Sequence, residues 1–355
     1  MLDSETRKRV FWLLKRLTSY SLWAKKRDAW EVFAKAFENA VWTWPKNDPE
    51  RMDADLLPRI YETLSLYNKG LEELGKGRRF VWRTGESLDV VMDRTGMVRN
   101  FLYTHPDYWE RGSQTAPYPV KVEVLNRLLL ASRYEGDYAP LEVPFIPRMS
   151  ARYSSPGALL DPERYRYQFY QLPYPVFPAE IPDVPATTDL IISSGQRVPV
   201  DGIWEPVTVE REKAFGLVPT GVKSVANNGC FNYLVNDTKA PNVRGQWNEA
   251  ESRTECVGTH WRLLWEDTRY KDGVIPDEST YFREATPAKQ TTALAGDIEV
   301  NTGEVCPVSG LWAPKGYDRG PVRFVVGAVM SDLLVADVLG EQKAHWVVWH
   351  LVKAD

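Results

Sequence analysis

The sequence predicts an α+β fold, in which an N-terminal helical bundle-like domain precedes a β-rich C-terminal half built from two related small-sheet repeats. Three observations lead to this prediction. Apolar residues recur at helical spacing through the first third of the chain. Short β-branched or aromatic runs bounded by turn residues replace them from about residue 187. A motif of thirteen residues then occurs twice, and self-similarity in a fixed order is typical of duplicated structure.

Apolar stripes and helix-ending residues define the predicted helices. Val10 and Leu14 lie on one face of the first helix, and the side-chain oxygen of Asp3 or Ser4 can cap its start. The second helix is expected to end before Pro45, because the residue before a proline is pushed out of the α region. Helices are expected at two segments within 4–43, and then at about 51–75, 85–104 and 119–134.

A proline-rich stretch separates the helical segment from the β-rich half. Ten prolines lie between Pro140 and Pro185, and each removes a backbone donor and fixes φ, which disfavours long helices. Tyrosines are interspersed among them, whereas disordered segments are poor in aromatic residues. We therefore expect a packed connector. The chain is then divided into a helical domain at 1–138, the connector at 139–186, a first repeat with an insertion at 187–285, and a second repeat at 286–355.

The repeat is clearest in two matching stretches. Ser194–Pro206 and Thr302–Pro314 are identical at six of thirteen positions, all of them Gly, Pro, Val or Trp. In each stretch a strand is expected to run into a Gly/Pro turn and then to present one tryptophan before a further proline. Such residues specify turns and cores, so the repeat is a prediction about structure and not about activity.

A second match follows in the same order along the chain. Thr259–Trp265 resembles Ala344–Trp349, an alignment that pairs His260 with His345. The first copy is longer between its two matching stretches. We therefore predict an insertion within residues 220–256, as a loop or a hairpin.

Composition narrows the class of protein. The net charge is −4 and the isoelectric point is about 5.8, whereas nucleic-acid-binding domains usually carry a basic stripe. No apolar run approaches the length of about 18 residues that a membrane span needs. The three cysteines are widely spaced and odd in number, which favours reduced thiols over a disulfide framework. We expect a cytoplasmic protein that binds neither nucleic acid nor membrane.

No catalytic, cofactor or metal site is predicted from these residues. Cys256 and His260 lie four residues apart, but a zinc site needs a second close pair of ligands. Cys230, Cys256 and Cys306 are therefore expected to be small hydrophobic residues of the core. A hydrolase that uses Cys256 or Cys306 with a histidine stays open as an alternative.

Two repeat-related tryptophans admit a further alternative. Trp204 and Trp312 occupy the same place in the two copies. A tryptophan beside a proline in a small sheet most often fills the core, but it can also form an aromatic platform for a carbohydrate or a peptide. Both interpretations are kept at this stage.

Several of these motifs resemble those of a known family. The stretch Thr302–Pro314 is followed by Phe324, by Gly327–Met330 and by a Trp-rich end at 346–349. Near the N-terminus, Arg9–Arg16 and Trp44–Pro49 also match. The chain is similar in these segments to immunity proteins encoded beside polymorphic toxins and type VI secretion effectors. It departs from their pattern at Met330-Ser331, where those proteins have Met-Pro, and at Val198, which stands in the first copy where the second has Cys306.

The resemblance implies a cytoplasmic protein that binds and neutralises one cognate toxin by direct contact, without catalytic residues or a cofactor. A region at about 236–280 leans acidic and could face a basic toxin, because complementary charge accelerates association. An ordinary solvated loop is the alternative there. The residues proposed to contact the partner are Glu249, Glu251, Glu255, Glu266, Asp267 and Asp272.

Overall fold

Helices dominate the N-terminal part of the computed structural model and strands dominate the C-terminal part, which confirms the predicted α+β class. The residues that the structure describes are 2–133, 138–167, 170–172, 174–214, 218–249, 252–282, 298–328, 330–331, 333–336, 342–345 and 347–354. Within these residues, no helix combines the length and the apolar character needed to cross a membrane.

Six α-helices lie within the described residues; the first five begin and end close to the predicted bounds, and the sixth, a single turn in the proline-rich stretch, was not predicted. Asp3 accepts a hydrogen bond from the Thr6 N–H at 2.9 Å and caps the first helix, and Ser19 caps the second. The helices are α1 Ser4–Leu17, α2 Tyr20–Thr43, α3 Leu57–Leu74, α4 Ser87–Phe101, α5 Val120–Ala131 and α6 Gly157–Leu160. Short 3-10 turns occur at Ala54–Leu56, Arg79–Trp82, Pro162–Tyr165 and Ser279–Phe282.

The strands are mostly short and antiparallel. Before the β-rich half they are β1 Trp109–Glu110, β2 Ser113–Gln114, β3 Arg166–Tyr167 and β4 Tyr170–Gln171. The next seven are β5 Ile191–Ser193, β6 Gly202–Ala214, β7 Val218–Asn227, β8 Asn232–Leu234, β9 Val243–Asn248, β10 Arg253–Val257 and β11 His260–Glu266. The last six are β12 Glu299–Asn301, β13 Gly310–Pro314, β14 Val322–Phe324, β15 Leu333–Ala336, β16 Gln342–His345 and β17 Val348–Ala354.

The chain forms two compact units, and each is discontinuous in sequence. The first unit comprises Met1–Thr104 and Leu128–Arg283, and the second comprises His105–Arg127 and Glu284–Asp355. Helices α1 to α4 and the sheet around β6 therefore belong to one unit. The four-part division at 138, 186 and 285 stays a prediction.

The core of the first unit is rich in aromatic side chains. Trp23, Trp30 and Trp82 are buried among the helices, and the Trp30 indole N–H donates to the Ile60 carbonyl at 3.0 Å. A large buried aromatic contributes more apolar area than any other residue type. These tryptophans therefore help to hold the helices of the first unit together.

Two small sheets share one strand order. In the first sheet β11 lies between β5 and β6, and β6 also pairs with β7 and β8. In the second sheet β17 lies between β12 and β13, and β13 also pairs with β14. In both sheets the first strand therefore pairs with the last strand, β5 with β11 and β12 with β17.

The turns after the opening strands are also alike. Gly195 and Gly303 adopt left-handed φ angles of 81° and 83°, a region that favours glycine. The Gly195 N–H donates to the Ala240 carbonyl at 2.8 Å, and the Gly303 N–H donates to the Met330 carbonyl at 2.8 Å. In both sheets this turn is therefore hydrogen-bonded to an equivalent segment that lies later in the chain.

A further set of hydrogen bonds extends the likeness. The Val198 N–H donates to the Thr238 carbonyl at 2.8 Å, and the Cys306 N–H donates to the Ala328 carbonyl at 2.7 Å. Both side chains are buried in the cores of their sheets, where a valine and a cysteine fill similar volumes. Residues 232–238 of the first sheet are thus equivalent to residues 322–328 of the second, and Ala240 is equivalent to Met330.

The predicted alignment of the closing strands is wrong by three residues. Trp261 lies opposite Pro206 in the first sheet, and Trp349 lies opposite Pro314 in the second. Trp261 is therefore equivalent to Trp349 and not to Trp346. The sequence match was misleading because His345 belongs to a separate hairpin of β15 and β16.

His260 and His345 therefore do not occupy equivalent places, as the predicted pairing required. His260 lies in β11, beside β5 and β6. Its structural counterpart in the second sheet is Val348, the residue before Trp349.

The insertion also lies earlier than predicted. Trp204 pairs with Asn232, and Trp312 pairs with Val322. The extra residues of the first sheet therefore fall within 205–231, where β6 is prolonged and β7 is added. The predicted range of 220–256 includes only part of this insertion, and the hairpin of β9 and β10 has a counterpart in β15 and β16.

Gly310 permits a close approach between β13 and β17. A β-carbon at Gly310 would lie 2.3 Å from the Lys353 carbonyl oxygen, so a side chain there must push the strands apart. Overpacking of this kind costs about 1–3 kcal/mol. We expect Gly310→Ala to lower the free energy of unfolding by about that amount in urea denaturation. Gly320→Ala is the matched control, because its β-carbon has open space around it; equal losses in the two variants would contradict this account.

Candidate partner-binding surface

The β9–β10 hairpin presents an exposed tryptophan within the acidic region. Among the described residues its two strands pair with each other and join no larger sheet. Trp247 lies opposite Thr254 in the hairpin and is 61% exposed. Tryptophan is enriched among the residues that dominate protein interfaces. An indole left in solvent on a projecting hairpin is therefore a candidate anchor for a partner.

Four of the six predicted contact residues are exposed. Glu249 follows β9 directly, and Glu255 on β10 accepts a hydrogen bond from the Asn248 amide at 2.8 Å. Glu266 ends β11, where Lys271 lies 3.4 Å from its carboxylate. Asp272 accepts the Val274 N–H at 3.0 Å in a turn. Glu251, a further predicted contact residue, lies outside the described residues.

Asp267 is placed inside the protein, contrary to the prediction that it faces a partner. Its side chain is fully buried and lies 2.9 Å from Arg79 and 2.8 Å from Arg269. The Tyr233 hydroxyl also donates a hydrogen bond to it, at 3.0 Å. A buried carboxylate that receives hydrogen bonds from three residues of its own chain is not available to a toxin.

The electrostatic environment keeps Asp267 ionised. Burial by itself would raise the pKa of this carboxyl group. The charges of Arg269 and Arg79 and the hydrogen bonds from Arg269 and Tyr233 outweigh that effect, so the pKa lies below its ordinary value. Burial also raises the pKa of Tyr233 well above its usual range, which keeps the phenol protonated and able to donate.

The same cluster attaches the loop after β11 to the helices. Arg269 donates to the carbonyl oxygens of Lys15 and Thr18 at 3.0 and 3.1 Å. The Tyr270 hydroxyl accepts the Tyr20 N–H at 2.8 Å and donates to the Glu278 carboxylate. The loop thus supplies hydrogen-bond partners for carbonyl groups at the end of α1 and for an N–H group at the start of α2.

Sequence reasoning missed a second buried carboxylate, Glu205. It lies on β6 with no exposed surface and receives hydrogen bonds from Arg7 at 2.9 Å, from the Arg262 Nε at 2.9 Å and from Asn227 at 3.1 Å. The position follows directly after Trp204, where the alternation of a half-exposed strand predicts a solvent-facing residue. The arginine from α1 covers that face and makes burial tolerable.

The cysteines do not offer an activated nucleophile at the buried positions. Burial raises the pKa of the Cys230 thiol to about 12, and the thiolate is the reactive form. Cys306 is also buried and its S–H donates to the Val308 carbonyl at 3.1 Å. Cys256 is half-buried on β10. Within the described residues, no group of three or more His, Cys, Asp or Glu side chains is placed to hold a metal ion.

The two repeat-related tryptophans are core residues. Trp204 and Trp312 have no exposed surface, and each packs in the apolar cluster of its own sheet. Neither side chain can act as an aromatic platform without unfolding the sheet around it. The platform interpretation of these two residues is therefore excluded in this conformation.

Asp267 offers a test of the buried cluster. We expect Asp267→Asn to lower the free energy of unfolding by about 3–5 kcal/mol at pH 7, because it removes the buried carboxylate that pairs with Arg79 and Arg269. Asp272→Asn, at an exposed turn, is the control and should change stability by less than about 0.5 kcal/mol. Chemical denaturation measures both, and a loss for Asp267→Asn no larger than that of the control would refute the assignment.

The pH dependence of this variant follows from the lowered pKa. Because the folded-state pKa of Asp267 is depressed, its contribution is present above the unfolded-state pKa of about 3.9 and is lost as the pH falls through the folded value. The stability gap between the wild type and Asp267→Asn should therefore narrow below about pH 4. A gap that widens there would contradict the sign of the shift.

Thiol labelling tests the assignment of the cysteines. In the native protein at pH 8 we expect Cys256 to react with Ellman's reagent well before Cys230 and Cys306, because those two thiols are buried. All three should react at once in denaturant. Rapid native labelling of Cys306, identified by mass spectrometry, would restore the hydrolase alternative.

Two family models match the chain. Residues 2–103, which contain α1 to α4, match the family Immunity protein 71 (Imm71). Residues 183–283, which contain the first sheet and the β9–β10 hairpin, match the family Immunity protein 72 (Imm72). No curated protein and no solved structure matches the chain. The helical segment and the first sheet are thus each similar to immunity proteins, and together the two matches support an immunity protein family for this chain.

Proposed function

We propose that this protein is an immunity protein that binds a cognate bacterial toxin in the cytoplasm and neutralises it by direct contact. The observation that carries this proposal is the pair of matches to immunity protein families at 2–103 and 183–283. Sequence motifs that resemble those of immunity proteins of polymorphic toxin and type VI secretion systems support this proposal. Neutralisation by direct contact requires a stable surface that is complementary to the toxin. It requires no catalytic residues in the immunity protein.

The β9–β10 hairpin is the proposed contact surface in the first unit. Trp247 supplies an apolar anchor that is 61% exposed, and Glu249 and Glu255 flank it as exposed carboxylates. Desolvation of an indole on binding contributes affinity, whereas charges at the rim of an interface mainly accelerate encounter. A toxin with a basic surface fits this combination.

The repeated module supplies the scaffold in this proposal. The two sheets share their strand order, their glycine turns and a buried tryptophan. We interpret them as two copies of one module. Their shared residues serve the fold, and binding falls to residues that the copies do not share, such as Trp247.

Co-purification with the toxin encoded by the adjacent gene tests the function. The wild-type protein should form a stable complex with the toxin domain and should protect cells that express it. We expect a specific interface that buries about 1,600 Å² in total and a complex that persists at micromolar concentrations. No complex at micromolar concentrations, together with no protection, would refute the proposal.

The contribution of the hairpin is tested by Trp247→Ala. We expect the Kd for the toxin to rise by about thirtyfold or more, since truncation of an anchoring tryptophan costs about 2 kcal/mol or more. Trp42→Ala is the matched control, because Trp42 on α2 is 72% exposed and lies outside the proposed surface. Isothermal titration calorimetry measures both variants, and equal affinities for the two would argue against the hairpin.

The two exposed carboxylates of the hairpin, Glu249 and Glu255, predict an effect on the association rate. The double variant Glu249→Lys, Glu255→Lys should lower the association rate at low salt by about tenfold and should reduce its dependence on salt. The dissociation rate should change less. Surface plasmon resonance over a salt series separates the two rates, and an unchanged association rate would show that the toxin does not approach this face.

A further inference from the structure

A cavity of about 260 Å³ lies between α3 and α4 in the first unit. The end of α3 meets the start of α4 at Gly70, where a β-carbon would lie 2.3 Å from the Leu88 side chain. The cavity is found toward the opposite ends of the two helices, where the described residues that line it are Arg59, Glu62, Arg94, Met97 and Val98. The helix pair is therefore closed at one end and leaves room for a ligand at the other.

The size and the apolar residues of the cavity limit what it can hold. Pockets for drug-sized molecules usually measure about 300–1,000 Å³, so a cavity of about 260 Å³ suits a smaller ligand. Val98 is buried, with 1% of its surface exposed. Met97 adds a flexible apolar side chain that adapts to the shape of what it contacts. The ligand is therefore small and has an apolar part.

The charges that line the cavity point to an anion. Glu62 supplies the one carboxylate among the described lining residues, and it is paired with Arg94. Within the described part of the chain Arg59 forms no ion pair, and its Nη1 donates to the Met97 sulfur at 3.1 Å. A thioether is a weak acceptor, whereas a carboxylate accepts two hydrogen bonds at once from a guanidinium. A carboxylate that enters the cavity would therefore displace the sulfur from Arg59.

We propose that this cavity is a binding site for a small carboxylate with an apolar body. Arg59 binds the carboxylate, and Met97 and Val98 contact the apolar part. Two sources share this chemistry, a free acid of about the size of an amino acid and the C-terminal residue of a peptide with an apolar side chain. The site goes beyond the proposed function, because the toxin contact proposed above uses the β9–β10 hairpin and not α3 or α4.

Methionine NMR on the full chain tests the site. The chain has six methionines, so isotope labelling of their methyl groups gives few signals, and Met97→Leu identifies that of Met97. N-acetylleucine is the probe, because it carries one carboxylate and one apolar side chain. We expect it to shift the Met97 signal with a Kd on the order of a few millimolar, as for other ligands of this size. The signal of Met149, which is exposed and does not line the cavity, should not move.

Two matched comparisons isolate the role of the carboxylate. N-acetylleucinamide has nearly the same shape without the charge, and we expect its Kd to be at least about tenfold higher, because hydrogen bonds to charged groups are the stronger ones. For the same reason Arg59→Gln should raise the Kd of N-acetylleucine by at least about tenfold. Arg148→Gln is the control variant, since Arg148 is exposed and does not line the cavity. Its Kd should stay within about twofold of the wild type.

A longer ligand distinguishes the two sources. The tripeptide acetyl-Ala-Ala-Leu with a free carboxylate should bind at least as tightly as N-acetylleucine if the site receives the end of a peptide chain. If the site receives a free acid, the added residues should weaken binding because they do not fit. Either result, with the carboxylate and Arg59 required, supports the site and identifies its ligand.

Three results would overturn the inference. They are a Met97 signal that does not move up to about 20 mM N-acetylleucine, an amide that binds as tightly as the acid, and an Arg59→Gln variant that binds as tightly as the wild type. Circular dichroism establishes that Arg59→Gln is folded; if it is not, the comparison of acid and amide on the wild type decides. These measurements involve no toxin, so the proposed function stands or fails separately.

Discussion

The buried carboxylate of Asp267 is the constraint on which the first unit depends. An isolated charge in a protein interior is expensive, so Asp267 requires the guanidinium groups of Arg79 and Arg269 to remain beside it. Arg79 comes from the turn after α3, and Arg269 also satisfies carbonyl groups at the end of α1. The helices and the first sheet therefore cannot move apart without exposing unpaired charges. We interpret the cluster as fixing the position of the helices on the first sheet, because apolar residues of similar volume would supply stability equally well.

The two sheets show how one backbone plan can carry different residues at its edge. Their turns, strand order and buried tryptophans are alike. The same kinds of interaction therefore hold each sheet together. What differs is the residue at each edge position. In the first sheet, Asn232 suits a fixed neighbour from the same chain. The equivalent residue of the second sheet is Val322, which is 43% exposed.

Local patterns predicted the helices and the turns well, because caps and apolar spacing act over a few residues. The alignment of His260 with His345 failed because it matched letters, whereas equivalence is decided by hydrogen-bond register. Asp267 was predicted to face a partner because a count of nearby charges cannot reveal which of them is buried. Trp247 was overlooked because a tryptophan is usually expected to be buried. Its polar neighbours in the sequence could have indicated that it is exposed. Partners that are distant in sequence, such as Arg79, were beyond any local pattern.

The discontinuous course of the chain has a consequence for biosynthesis. Residues 105–127 belong to the second unit together with 284–355, and Arg127 donates to the Gly303 carbonyl at 3.0 Å. On the ribosome, this central segment emerges long before the strands that it joins. It cannot complete the second unit until residues 284–355 have been synthesised. A nascent chain stalled near its end would therefore hold a finished first unit and an incomplete second one, a vulnerable state that chaperones and proteases can recognise.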